Sequence, residues 1–179
     1  LIRKKMRART YAETWKEKPE DIWLEIKRKH NMNIKKSRVK IDSRIWERLI
    51  QPRAESPSFS FEGSEKDKQT FHDFLYYYKR QLYRPEVIVK YKRSAYMSEF
   101  SSPIRITFDK DVVACSANDP RGEDMMIPVS QNLVIMEVKF NNSLPWWFKE
   151  LLARFDVSRD DFSKYRNSVA ILRGYHHIP

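Results

Sequence analysis

The chain has 179 residues, 41% of them hydrophobic, with 35 Lys and Arg against 24 Asp and Glu, a formal charge of +11. That length and composition exclude a disordered chain, and the charge calls for a polyanion: nucleic acid, acidic membrane or a phosphate compound. Only 3 glycines and no G-x-x-x-x-G-K or G-x-G-x-x-G argue against a glycine-rich phosphate loop, and a single cysteine, Cys115, excludes an internal disulfide or a cysteine-built zinc site.

Residues 1–11 and 21–30 alternate as strands, joined by the polar ETWKEKPE, where Pro19 blocks continuation. NMN at 31–33 signals a turn into a third strand, IKKSRVKI, giving a meander of antiparallel hairpins. SRIWERLI reads as a short helix with Ser43 as N-cap and Ile45, Leu49 and Ile50 inward. After a loop at 51–63, SEKDKQTFHDFLYYYKRQL is a second helix with Phe71, Phe74, Leu75 and Tyr78 at helical spacing and Ser64 with Asp67 as a cap. Strands resume at 85–97, 103–109, more weakly at 112–117, and at 132–140. LPWWFKELLARF starts a helix at proline, and DDFSKYRNSVAIL is a last short helix. The order predicts an α+β fold with a mostly antiparallel sheet or barrel, in one domain over 1–179. The apolar runs are too short to cross a bilayer. The abrupt start inside a strand reads as a fragment of a longer protein.

Each strand carries cations on one face. Arg3, Lys5, Arg7 and Arg9 share a side, with Lys4 the exception on the other; Glu25, Lys27 and Lys29 oppose Ile22, Leu24 and Ile26. Lys36, Arg38 and Lys40 oppose Val39 and Ile41, although neighbouring Lys35 leaves that register open. Tyr91 and Arg93 share a parity with Val87 and Val89, and Arg105, Thr107 and Asp109 oppose Ile106 and Phe108. Glu137 and Lys139 oppose Met136 and Val138. A solvated basic face explains such alternation equally simply. If the aromatic-rich helices instead cover the apolar faces, the charged faces turn inward, as in a closed antiparallel barrel with a polar lumen.

YKRSAY (91–96), IRITFD (104–109), LVIMEVKF (133–140), LPWWFKELL (144–152) and FSKY (162–165), with RKKMRARTY (3–11) and LEIKRKH (24–30), together resemble the VTC domain. This is the polyphosphate polymerase of vacuolar transporter chaperone type, in the CYTH-like triphosphate tunnel metalloenzyme superfamily. The resemblance implies an antiparallel β tunnel barrel with helices packed outside. It also implies transfer of the ATP γ-phosphoryl group to inorganic polyphosphate, with Mn²⁺ or Mg²⁺. It gives Arg7 and Arg9 as paired arginines of the first basic strand, and Lys27, Lys36, Tyr91, Arg93 and Arg105 as lumen groups. Glu137 becomes the metal ligand, with Lys139 beside it, and Ser163 and Lys164 the C-terminal phosphate grip. It further implies a bacterial-type, cytoplasmic domain lacking its first strand, with no nucleic-acid partner. Asp161 departs from the pattern, standing where a lysine is often found.

Those residue types suit phosphoryl transfer, which asks for neutralised oxygens and alignment. Arginine forks hold phosphate bidentately, lysines act as point charges, and a carboxylate suits a hard divalent cation. Two alternatives stay open: a triphosphatase on the same fold, with water as acceptor, and a noncatalytic polyphosphate-binding module. At single residues, Tyr91 also reads as a core aromatic, Asp109 as a cap for the turn into KDVV, and Glu25 as a partner for a nearby cation. Trp146, Trp147 and Phe148 read as packing anchors, Tyr76 to Tyr78 as helix packing, and Cys115 as a small core residue. His176 and His177 lie at the extreme end, where an expression remnant competes with metal binding.

Overall fold

In the computed structural model, which describes residues 2–12, 19–31, 33–50, 61–99, 103–119 and 122–174, the alternating segments become two separate sheets. The chain divides into two compact units, Leu1–Arg84 and Pro85–Pro179. The mixed α+β class holds, but among the described residues the strands do not join into one closed barrel. The interstrand loop at 13–18, most of the loop at 51–63, and His176 and His177 lie outside the described residues.

In the first unit, β1 (Ile2–Arg9), β2 (Asp21–His30) and β3 (Asn33–Asp42) form the antiparallel meander. α1 (Ser43–Ile50) and α2 (Glu65–Arg80) pack on its apolar face. Ile22, Leu24, Ile26, Val39 and Ile41 from the strands meet Leu49, Phe71 and Phe74 from the helices, all buried. Each such side chain contributes about 1.5–3 kcal/mol by leaving water. Lys4, the cation on the wrong parity, stacks its ammonium 4.5 Å from the Tyr77 ring of α2, which also lies 5.5 Å from the Arg28 guanidinium. The cation–π contact lets a charge sit on an apolar face.

The two helix starts differ from each other. Ser64 caps α2 as the spacing predicts, accepting from the Asp67 N–H at 3.2 Å and donating to Asp67 Oδ2 at 2.6 Å. Such a cap contributes about 1 kcal/mol. At α1 the capping oxygen belongs to Asp42, which accepts from the Arg44 N–H at 2.7 Å, while Ser43 is already helical. Ile50 is exposed, not inward, because the eight-residue helix ends before that position turns to the sheet.

In the second unit, β4 (Val87–Met97) pairs with β5 (Arg105–Ser116), whose other edge carries β6 (Ile127–Pro128) and β7 (Ile135–Lys139). The two strands expected at 103–109 and 112–117 are one. Asp111, at φ 55°, adds a bulge to β5, and the register with β4 shifts between Lys90 and Lys92. A bulge places two residues opposite one, so the alternation slips by one position there. Asp109 and Val112 consequently share a face. α4 (Lys164–Leu172) lies along that face, its last turn packing Ile171 and Leu172 against the cluster of Val112, Ala114 and Val129. This helix therefore lies on the face of its sheet that carries Asp109, whereas the inward-facing alternative put helices over the apolar faces. α3 (Trp146–Arg154) buries Phe148, but Trp146 is largely exposed and is no packing anchor within this unit. Cys115 is buried, and burial, followed by Glu123 and Asp119, pushes its thiol up, as an unreactive core residue requires. Among the described residues, no helix is long and apolar enough to cross a membrane.

Candidate functional site

The meander sets its cations in rungs. Pairing across the strands aligns Arg9 with Trp23 and Lys40, Arg7 with Glu25 and Arg38, Lys5 with Lys27 and Lys36, and Arg3 with Lys29 and Ile34. Directly opposed residues in antiparallel strands hold their Cβ atoms about 4.5–5.5 Å apart, so the two central rungs are rows of neighbouring charges, whereas Trp23 parts Arg9 from Lys40 and Ile34 ends the last rung. The register left open for Lys36 is settled: it faces Lys27. Partial burial, then Lys36, Lys5, Lys29 and Arg7, hold the Lys27 ammonium below its usual 10.5. Glu25 is the acid at the centre of this grid and is held by Arg7, whose Nε donates to Oε2 at 2.6 Å. At one end Lys40 meets Asp21 at 2.7 Å, and Arg9 stacks on Tyr11 at 4.9 Å.

The second unit has a tighter cluster. Asp109, on β5, is fully buried. Its Oδ1 accepts from Arg93 Nε at 2.6 Å and its Oδ2 from Arg93 Nη2 at 2.7 Å, with Lys164 Nζ at 2.5 Å from the same Oδ2. Burial pushes the Asp109 carboxyl up, but the bonds from Arg93 and Lys164 outweigh it and leave the group below its usual 3.8. The Arg93 guanidinium is correspondingly raised, first by its bond to Asp109. Asp109 is thus no turn cap: the turn it was expected to close is the Asp111 bulge inside a continuous strand.

Around this pair the remaining candidates assemble. Glu137 on β7 lies 3.1 Å from Lys139 Nζ and 3.9 Å from Arg93 Nη2. Burial raises its carboxyl, while Lys139, Arg93 and Lys164 bring it below 4.5. Arg105 stands opposite Lys139 and is exposed. Tyr91 is partly buried against the apolar cluster, and its ring lies 5.2 Å from the Arg93 guanidinium and 5.1 Å from the Lys164 ammonium. Tyr91 is thus a partly buried aromatic, as the core reading has it, with two cations near its ring. Ser163 caps α4, its hydroxyl oxygen accepting from the Arg166 N–H at 3.4 Å. Asp161, the departure from the expected lysine, receives Arg166 at 3.4 Å and is engaged beside the same helix start.

The structure thus brings together Tyr91, Arg93, Glu137, Lys139 and Lys164 in one unit, with Arg105 at the margin. It brings together Arg7, Arg9, Lys27 and Lys36 in the other. Sequence reasoning missed Asp109, whose signal was its shared parity with Arg105 and Thr107. The Thr107 hydroxyl, opposite Glu137, is buried with no hydrogen-bond partner among the described residues. Among those residues, no three His, Cys, Asp or Glu side chains group to hold a metal ion. A divalent cation would have Glu137 as its protein carboxylate, since Asp109 is consumed by Arg93 and Lys164. That donor set fits a hard ion that keeps water and takes its other oxygens from phosphates. The family model described as VTC domain matches residues 2–173. No curated protein matches the chain.

Proposed function

Because the chain belongs to the VTC domain family, we propose that it is a polyphosphate polymerase that transfers the γ-phosphoryl group of ATP to inorganic polyphosphate. The observation that carries this reading is the grid on β1 to β3, where Lys27 sits between Lys5 and Lys36, and partial burial, then these neighbouring cations, lower its proton affinity. Such a row destabilises the empty protein and becomes favourable when a chain of phosphates lies along it. Arginine supplies fixed, always-charged forks, and the regular strand spacing presents charge in repeated steps, as a repeating polyanion requires.

In this reading a terminal polyphosphate oxygen attacks the γ-phosphorus, the bond from that phosphorus to the β–γ bridging oxygen breaks, and ADP leaves with the bond electrons. Arg93 and Lys164 hold phosphate oxygens, with Lys139 and Arg105 beside them. Arg7, Arg9, Lys27 and Lys36 hold further phosphates, and the Ser163 hydroxyl donates to one. Mn²⁺ or Mg²⁺ on Glu137 would neutralise phosphate charge when bound. The two sheets would belong to one tunnel barrel and one domain, as the family resemblance implies.

The test is the purified protein with ATP and Mn²⁺. Acid-insoluble polyphosphate is expected, with turnover lost on Glu137→Gln. Free phosphate as the sole product would overturn the polymerase reading in favour of a triphosphatase. Tight polyphosphate binding without turnover would leave a binding module.

A further inference from the structure

We propose that Asp109 is a positioning residue that locks Arg93 of β4 and Lys164 of α4 into one rigid cationic pair for phosphate. This rests on the phosphate reading of that face. Asp109 uses both oxygens, and its side chain is wholly inaccessible, whereas those of Arg93 and Lys164 keep 22% and 20% of their surfaces exposed. The acid therefore grips the two cations from below and leaves them partly open to solvent.

Three features of the geometry separate positioning from simple charge balance. The Arg93 fork is bidentate on its Nε–Nη2 edge, which fixes the plane of the guanidinium and leaves Nη1 unused by Asp109. The Tyr91 ring lies near both cations at similar distances and limits their movement from a second side. The Asp111 bulge brings Val112 onto the same face as Asp109, so one helix spans both. The first turn of α4 meets the acid while its last turn meets hydrocarbon. Asp109 thereby sets where Lys164 and its neighbour Ser163 stand relative to Arg93. A buried ion pair is a poor source of net stability compared with well-packed hydrocarbon, so its use here favours a role in geometry.

The two roles predict opposite signs. Asp109→Asn removes one negative charge and frees two cations. If Asp109 only balances charge, the variant binds inorganic tripolyphosphate more tightly. If it positions, the variant binds at least tenfold more weakly despite its more positive site. Calorimetric titration with tripolyphosphate, at a temperature where circular dichroism shows the variant folded, reads the sign. Unchanged or tighter binding by a folded variant overturns the inference and leaves the phosphate reading intact. A wild-type protein that does not bind tripolyphosphate overturns both. Should the variant fail to fold, nitrogen-15 NMR of the wild type decides. Slow hydrogen exchange at Arg93 Nε and a resolved Lys164 ammonium signal are expected, and rapid exchange at both overturns the lock.

Discussion

Replacing Lys27 by Met tests the cationic grid where it is densest. Met keeps most of the unbranched stem and removes the charge, so the packing of the methylenes is largely retained. Lys5 and Lys36 stand directly opposite on the two flanking strands, and like charges so placed cost roughly 0.2–1 kcal/mol each. Lys27 lies on an exposed face, so the lower half of that range applies, giving about 0.5–1 kcal/mol of relief for the two together. For a protein of this length that raises Tm by about 1–4 °C. Melts followed by circular dichroism at about 0.02 M salt should show the rise, and at about 0.5 M salt it should shrink toward zero as the screening length falls to about 4 Å. It should also shrink as pH climbs toward 10.5. The folded state sheds this proton more readily than the unfolded chain does, so the wild type gains stability with rising pH and the variant does not. Tripolyphosphate should raise Tm of the wild type more than that of the variant. A variant less stable than wild type at low salt, or a rise indifferent to salt, would refute repulsion as the organising feature of this sheet.

Two further outcomes follow from the second unit. Acidification should unfold it through Asp109 and Glu137: both carboxyls sit below their ordinary values, so their contribution is complete above about pH 4.5 and is lost as pH falls below 3.8. Thermal melts between pH 5 and 2 check this, and a flat Tm across that range contradicts it. Asp111→Val should destabilise by about 1–2 kcal/mol relative to Asp111→Asn, because φ 55° is strained for a β-branched residue and tolerated by Asn. Urea midpoints for the two variants measure the difference, and equal midpoints would remove the bulge from the account.

The sequence carried the meander because a half-buried strand must alternate, and Ile22, Leu24 and Ile26 do so against Glu25 and Lys27, with Trp23 the one apolar residue on the charged side. The Ser64 cap was legible for a similar reason, since its chemistry is complete within four residues. Lys36 was not, because four cations among residues 35–40 satisfy either register until the partner strand chooses one. Asp109 was misread through the bulge: Asp-Lys-Asp followed by an apolar run has the local chemistry of a turn, and only pairing with β4 distinguishes an inserted residue from a strand end. Trp146 failed differently. Apolar character marks a residue that gains by burial, yet does not say which neighbour supplies it, and the first turn of α3 leaves the ring in solvent. Lys4, an exception in the alternation, made sense only with Tyr77, more than seventy residues away in sequence.

The footing of α4 has a dynamic consequence. Its first turn is held by charge, through Lys164 and Asp109, and its last by hydrocarbon, through Ile171 and Leu172. The acid of the first hold is wholly buried, so salt screens it little, and the two ends answer to different perturbations: protonation of Asp109 loosens the Lys164 end, while denaturants that solvate hydrocarbon loosen the other. The Ser163 end of the helix is thereby tied to pH and the Leu172 end to the burial of hydrocarbon.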